Sequence, residues 1–362
     1  MASKDILMQA KNRASLSEEK TNKKIYLISR HCGHAGLMWV YDCILAAIVF
    51  AYDKGYIPVV DLKTQFNQYF KDGREFKDNV WEYYFKQPSG LSLENIDKSD
   101  FSIIEHNEDN IKPYINILMG NTKKCLQNKK TVSEEKFFEK IELADEIKEY
   151  FEKEFDRLVK GEDFLGIICR GTDYVNLRPE GHQIQPEISD VIKKAKEICN
   201  KYDCKKIWLA TEDMEIYKRF KAEFKDMLIE NTQYKFSNIE NKYLDEVNVN
   251  IQRENHSYNL GKEYLFSMYM LSKSKYLIGG ITGALPALWV LSNGFKNQTL
   301  TCFWDIGYYK TSKKVTYKNI FERIFSVKNE INESIKHKVF TLFGIRIKFN
   351  SITCDTIGFC RL

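Results

Sequence analysis

The stretch FLGIICRGTDYVNLRPEGHQIQP, Phe164 to Pro186, passes from an apolar run straight into a loop dense in groups that hold charge. Leu165, Ile167, Ile168 and Cys169 make the continuous apolar run required of a strand buried on both faces of a parallel sheet. Ligands of such sheets collect at the carboxyl ends of the strands, and Arg170 stands at that end. Its planar fork can donate two parallel hydrogen bonds to a phosphate, Thr172 adds a hydroxyl, and Gly171 allows close approach of the backbone. The plainer reading is an ordinary strand-to-helix connection with Arg170 and Asp173 paired at the surface. This stretch alone leaves both open, because short motifs match by chance.

Further along, strands and helices alternate as in a doubly wound parallel sheet. A helix is expected from about Pro186 to Tyr202, with Ile188, Val191, Ile192, Ala195 and Ile198 at helical spacing. Strand Lys206 to Ala210 ends in Thr211, Glu212 and Asp213, acids that can accept from ribose hydroxyls or a base amide, or a helix cap of Thr211 or Asp213. A short strand is expected near Met227 to Ile229, and Tyr234 to His256, polar, charged and aperiodic, reads as a flexible flap or an acceptor-side loop. A helix over Gly261 to Ser272 precedes strand Lys275 to Ile278 and the turn Gly279, Gly280, Ile281, Thr282, Gly283, Ala284. A glycine-rich turn feeding the helix Leu285 to Leu291 presents free amides that suit a phosphate, and Pro286 fits that helix's first turn. One sheet thus carries three polar loops on one rim.

Toward the amino terminus, residues 1–23 are polar and loose. Strand Ile25 to Ser29 leads through Arg30, His31, Cys32, Gly33, His34, Ala35 and Gly36 into a helix to about Lys54, with Leu37, Val40, Ile44, Ala47 and Ala51 on one face. Gly33, His34 and Gly36 could serve a substrate hydroxyl or phosphate, or simply make the turn. Strand Ile57 to Leu62 follows, with Asp61 near its carboxyl end. In Asn79 to Pro88, Trp81, Tyr83, Tyr84 and Phe85 surround Glu82, either as a platform for a sugar ring with one carboxylate beside it or as aromatic core. Phe101 to Glu105 is a further strand, and residues 134–158 are expected to form one long charged helix. The domain boundary is placed near Lys160, giving an amino-terminal domain over 24–160, a second over 161–318, and a closing helix (Asn319 to Phe325) and tail over 319–362.

The chain has 362 residues, 43% of them hydrophobic and 14% aromatic, enough for two globular domains. A net charge of +5 from 55 basic and 50 acidic residues lacks the concentrated basic surface of nucleic-acid binding. The nine cysteines are scattered through apolar runs, as in reduced core positions, and point to a cytoplasmic setting. The start lacks a signal-peptide core, and no stretch reaches the roughly eighteen apolar residues of a membrane span. A protein neither exported nor membrane-spanning is expected.

Taken together, IICRGTDY at 167–174, GHQIQP at 181–186, IWLATED at 207–213 and EYLFSMYMLSKSKYLIGGITGA at 263–284 resemble the inverting fucosyltransferase-like glycosyltransferases, especially bacterial polysaccharide-synthesis relatives. The segments at 44–62 and 79–88 look like the bacterial branch, so the likeness covers most of the chain. It implies an α/β, GT-B-like fold of two Rossmann-like domains facing each other across a cleft, with the donor nucleotide in the carboxyl-terminal one. It also implies GDP-fucose as donor, no cofactor and no metal. By this resemblance Arg170 holds the donor's β-phosphate, Asp173 is the acid that follows it, Glu212 and Asp213 are the paired acids, and Thr282 lies against the diphosphate. Gly171, Thr172, Tyr174, Glu263, Gly280 and Gly283 complete the expected donor site, and Gly33, His34, Gly36 and Trp81 the acceptor side. The chain departs from the family at Ile168 and Gly171, where a histidine and a second arginine are common, and at Ser267, where relatives carry an acid and Glu263 lies one turn earlier.

Breaking a sugar–diphosphate bond needs charge stabilisation on the leaving phosphates, from a metal or from fixed donors. No aspartate-x-aspartate clamp occurs, so Arg170, Thr282 and the loop amides are the expected donors. Inversion needs a base for the acceptor hydroxyl, for which Glu180, His182 and Glu82 are the candidates. The expected acceptor is a glycan or lipid-linked glycan of a surface polysaccharide such as capsule or O-antigen. Residues 337–349 mix basic and apolar side chains, suited to peripheral contact with an anionic membrane or to a packed strand. A transferase of another nucleotide sugar and a nucleotide-binding module without catalysis are the alternatives; a dinucleotide oxidoreductase is disfavoured because no G-x-G-x-x-G follows a strand.

Overall fold

The computed structural model describes residues 23–96, 101–237, 239, 242–248 and 250–310, and the backbone of four strands between 325 and 361. The chain divides into two compact units, Met1–Thr122 with Lys130–Glu152 and Arg253–Lys262, and Lys123–Lys129 with Lys153–Gln252 and Glu263–Leu362. The sequence places the boundary near Lys160; the chain instead passes between units inside a helix, at Glu152–Lys153.

In the first unit, strand β1 (Lys24–Ser29) leads through the glycine loop to helix α1 (Leu37–Asp53) and strand β2 (Ile57–Asp61). Strand β3 (Ser102–Glu105) and β2 flank β1 in a parallel sheet of order β2-β1-β3. Helix α1 is not amphipathic as expected. Met38, Tyr41, Cys43, Leu45, Ala46, Ile48, Val49 and Phe50, between the positions of the predicted face, are themselves apolar, and the helix is buried on all sides from Leu37 to Ala51 except at Trp39. Helix α2 (Glu108–Leu126) had no sequence signal, because Pro113 lies inside it and a proline ordinarily argues against a helix interior.

The long helix expected over 134–158 is shorter: α3 covers Asp145–Val159. Before it, Ser133 and Glu139 adopt positive φ, and residues 142–144 run strand-like beside 84–86, with Lys86 N donating to Glu142 O at 2.9 Å and Ala144 N to Tyr84 O at 2.9 Å. Pairing to a distant segment outweighs the helical propensity of the acidic and basic residues there. The same segment settles the aromatic platform as core. Trp81, Tyr84 and Phe85 are buried, the Trp81 and Phe85 ring centroids lie 4.5 Å apart, and Trp81 Nε1 donates to Lys86 O at 3.0 Å. Trp81, expected on the acceptor side, therefore has no face for a ligand.

In the second unit, strand β4 (Phe164–Ile168), short helix α4 (Thr172–Asn176), helix α5 (Ile188–Tyr202), strand β5 (Lys206–Ala210) and helix α6 (Met214–Phe224) follow in order. Helix α7 (Leu244–Asn248), helix α8 (His256–Lys273), whose residues up to Lys262 count with the first unit, strand β6 (Tyr276–Gly280), helix α9 (Leu285–Leu291) and strand β7 (Leu300–Trp304) complete the winding. Strands β8 (Phe325–Asn332), β9 (Ile335–Leu342) and β10 (Ile345–Asn350) form an antiparallel sheet, and β11 (Gly358–Arg361) pairs antiparallel with β7. The main sheet has the order β11-β7-β6-β4-β5, with β4, β5, β6 and β7 parallel. Residues 337–342 and 345–349 lie in β9 and β10. The helix expected over Asn319 to Phe325 lies outside the described residues, save Phe325, which opens β8.

Strand β4 is buried throughout and its two faces are covered differently. Leu165 and Ile167, with Ile207, Leu209 and Ile278 of the neighbouring strands, pack with Val191, Ala195 and Ile198 of α5 and Phe220 of α6. On the other face Trp208 meets Phe266 of α8 edge to face, and Gly166 leaves room for Leu271 and Ser274. This period-two alternation under helices on both faces is the doubly wound arrangement the strand run predicts. Residues 227–229 make a single bridge, Ile207 to Leu228, not a strand, and 234–256, expected as a flap, contains α7 and a bridge from Phe236 to Asp213. Among the described residues no helix is long and apolar enough to cross a membrane. The seven described cysteines carry no disulfide.

Two substitutions test this packing. A Cβ at Gly166 would lie 2.7 Å from Ser274 Oγ and 2.9 Å from Leu271 Cδ2, so Gly166→Ala is expected to cost about 1–3 kcal/mol by overpacking, read as a lower urea midpoint. Asp42 on α1 is buried with neither carboxyl oxygen hydrogen-bonded, and burial holds its pKa well above the ordinary carboxylate range. The folded protein keeps a proton there that the unfolded chain releases, so the stability linked to it is present at low pH and lost as pH rises above the ordinary carboxylate value. Asp42→Asn should match the parent in thermal melts near pH 4 and exceed it increasingly toward pH 8.

Candidate functional site

The neighbours β5, β4 and β6 end on one edge of their sheet, with Ile168 opposite Ala210 and Gly279. At roughly 4.8 Å per strand, their three loops begin within about 10 Å of one another. They carry Arg170 to Tyr174, Thr211 to Asp213 and Ile281 to Ala284, as the sequence predicts.

The first two loops are tied together by acids. Glu212 Oε1 accepts from Gly171 N at 3.0 Å, lies 3.0 Å from Thr172 Oγ1 and faces Arg170 Nη1 at 3.2 Å. Asp213 Oδ2 accepts from Thr172 N at 2.9 Å, while its Oδ1 caps α6 by accepting from Glu215 N and Ile216 N at 2.8 and 3.0 Å. The capping reading of Asp213 and a role on the rim therefore coexist in one carboxylate. Asp173 Oδ1 accepts from Arg170 Nη2 at 3.1 Å and from Tyr174 N at 3.0 Å. Thr172 adopts φ +48°, a left-handed conformation costly for a β-branched residue and sustained only where surrounding bonds over-determine it. Here its amide and hydroxyl are both held. Gly171 is required by close approach, since a Cβ there would stand 2.4 Å from Asp213 Oδ2.

Arg170 is partly buried, with a quarter of its side chain (25%) exposed, and its guanidinium lies 4.8 Å from the Tyr174 ring centroid. Burial disfavours its charge, but Glu212 and Asp173 outweigh that and raise its pKa. It does not point into an apolar interior. The amides of Gly171 and Thr172 donate to Glu212 and Asp213. The loop is closed by carboxylates, and the guanidinium is the group left with further N–H donors.

On the third loop, Thr282 is buried and its hydroxyl accepts from Ala284 N at 3.3 Å, leaving its own proton to donate. A Cβ at Gly283 would meet nothing within 4 Å. Gly280 packs against Gln185, whose Nε2 donates to Ile281 O at 2.9 Å and whose Oε1 is buried without a partner. The sequence reading gave Gln185 no role, although the GHQIQP run contains it. Glu263 on α8 accepts from Tyr234 N at 3.0 Å. Ser267, at the position where relatives carry an acid, is buried and donates to Gln233 Oε1 at 2.8 Å, so the segment 231–236 covers that position.

Of the candidate bases, Glu180 is exposed and His182 lies against Tyr174, with ring centroids 4.8 Å apart and the ring planes tilted by 60°. Tyr174 thus contacts both the Arg170 guanidinium and the His182 ring. Burial lowers the His182 pKa, with Arg170 adding to the effect and Asp173 opposing it, so the imidazole is neutral at pH 7. Glu82 belongs to the first unit, where its Oε1 accepts from Gln87 Nε2 at 2.8 Å. In that unit Gly33 adopts φ +52° and bridges Asn67, Gly36 is the residue before α1, and the His34 ring lies 5.6 Å from the exposed ring of Phe66.

No family model matches the chain, and no curated protein does. Among solved structures it is similar to the NodZ α-1,6-fucosyltransferase co-crystallised with GDP, at 13% identity over 79% of this chain and 96% of that one, with a TM-score of 0.46. The fucosyltransferase NodZ from Bradyrhizobium gives 13% identity over 79% and 97%, with a TM-score of 0.46. POFUT1 in complex with GDP gives 11% identity over 78% and 99%, with a TM-score of 0.44.

Proposed function

We propose that this chain is a glycosyltransferase that moves fucose from GDP-fucose to a hydroxyl of a glycan or lipid-linked glycan during surface-polysaccharide assembly, by an inverting, metal-independent route. The observation that carries the reading is the rim of the second unit, where a positively charged, partly exposed guanidinium is held between two carboxylates at the ends of adjacent parallel strands. Glu212 and Asp173 aim the fork, and its remaining donors meet the β-phosphate. The acids have oxygens suited to ribose hydroxyls or a base amide, and the Thr282 hydroxyl adds a donor from the next strand.

In the proposed step His182 takes the proton of the acceptor hydroxyl as that oxygen attacks the anomeric carbon, on the face opposite the diphosphate. The bond from sugar carbon to phosphate oxygen breaks, GDP leaves with the electron pair, and Arg170 stabilises the charge that develops on the β-phosphate. His182 is exposed and returns its proton to solvent. His34, Gly33 and Gly36 belong to the proposed acceptor side, and residues 337–349 to a peripheral contact with an anionic membrane.

Arg170→Ala is expected to lower turnover ~10²–10³-fold, the scale of losing one transition-state donor, and to abolish the rise in melting temperature given by GDP. Arg170→Lys should not restore it, because an ammonium cannot meet two acids and a phosphate in one plane. GDP should protect the parent more than UDP or CMP. Near-parental turnover in Arg170→Ala overturns the assignment, and stronger protection by UDP or CMP moves it to another nucleotide sugar.

A further inference from the structure

The loop after β7 was no part of the rim read from the sequence, yet it bonds directly to the segment that carries His182. Residues 181–184 run beside 307–309, with an antiparallel bridge between Gln183 and Tyr308. Gly181 N donates to Tyr309 O at 2.9 Å, Tyr309 N to His182 O at 2.9 Å, and Ile184 N to Gly307 O at 2.8 Å. Gln185 adds an anchor on the Ile281 carbonyl. The excursion that begins at Arg170 is thereby drawn across the end of β6 and fastened to the end of β7. Gly307 has φ +108°, a conformation that side-chain-bearing residues rarely adopt.

From these bonds we propose that the strap Asp305–Tyr309 positions His182 for proton abstraction, with Tyr309 as a positioning residue acting through its backbone amide. The inference rests on the base assignment to His182 made above. Within residues 181–183 the main chain bonds to the strap on both sides of the imidazole, and the ring itself bears on Tyr174. Two contacts therefore set the ring, one from the loop after β4 and one from the loop after β7. Of these the strap is the one that leaves Arg170 untouched, so its removal should act on proton transfer and spare nucleotide binding. The charged and titratable groups around His182 are Asp173 and Arg170 of the β4 loop, with the phenol of Tyr174.

The test uses the full chain, with hydrolysis of GDP-fucose, water serving as acceptor, followed from pH 5 to 9, and GDP-induced thermal shift as the check on folding and donor binding. Tyr309→Pro deletes the amide that holds His182, Tyr309→Ala keeps it, and Gly307→Ala strains the strap where an added Cβ meets nothing within 4 Å. Tyr309→Pro and Gly307→Ala should each lose at least ~10-fold in hydrolysis with the GDP shift intact, approaching His182→Gln, while Tyr309→Ala stays within ~3-fold of the parent. A neutral base works above its pKa, so the rate falls as pH drops through that value. Freed from its partly buried seat, His182 regains a higher pKa, and the acid limb of kcat/KM moves up in the strap variants, a change that loss of structure alone would not give. If Tyr309→Pro does not fold, Gly307→Ala carries the comparison. Parental rate and pH profile in the strap variants, with His182→Gln inactive, overturn the positioning role. Full activity in His182→Gln overturns the base assignment and this inference with it.

Discussion

One carboxylate oxygen, Glu212 Oε1, meets a backbone amide, a hydroxyl and a guanidinium, all from the loop after the neighbouring strand. The carboxylate is buried, and an ion in that position is tolerated only when its charge and lone pairs are satisfied. Each partner is fixed in turn. Gly171 has no Cβ because the acids come too close, Thr172 is held in a left-handed conformation, and Arg170 stands with its fork at the rim instead of along the surface. A charge at the end of a parallel strand is the usual place for a ligand, but here the protein's own acids first build the frame that aims it.

That frame holds one cation and three carboxylates, Asp173, Glu212 and Asp213, so the rim is not a simple anion cradle. Asp213 spends both oxygens on amides, one set in α6 and one in the arginine loop. The acids near Arg170 act as orienting acceptors, and its charge persists because their attraction exceeds the cost of burial. The Tyr174 ring, in contact with the guanidinium and with the tilted ring of His182, then keeps a neutral imidazole near that charge. In the first unit, by contrast, residues that had the composition of a ligand platform are spent on packing: Trp81, Tyr84 and Phe85 fill the core, and Asp61 turns back to accept from Lys63 N and Thr64 N.

Which of these features were legible depended on how local their cause is. The alternating strands and helices of the second unit, the three polar loops and their common rim follow from apolar runs and from glycine and acid positions within a few residues of each other. So did β1, β2 and the existence of α1. The helix expected over 134–158 begins only at Asp145, because residues 142–144 are claimed by pairing with residues 84–86. Helix α2 was hidden by Pro113, and the expected single apolar face of α1 became a helix buried all round. The strap after β7 has no sequence signal, since backbone bonds between 181–184 and 307–309 depend on no side-chain type.

The sequence by itself therefore determined the class of fold, a parallel α/β chain, and the rim where its charged loops gather, because burial periodicity and strand polarity are properties of short segments. Only the tertiary structure decided how those loops are used: that the Gly171 and Thr172 amides are taken by Glu212 and Asp213, that Trp81 is core, and that His182 is fastened from the far side of β6. Those outcomes turn on which group comes against which, and groups as distant in the chain as Gly171 from Glu212, or His182 from Tyr309, acquire that proximity only once the sheet has closed its register.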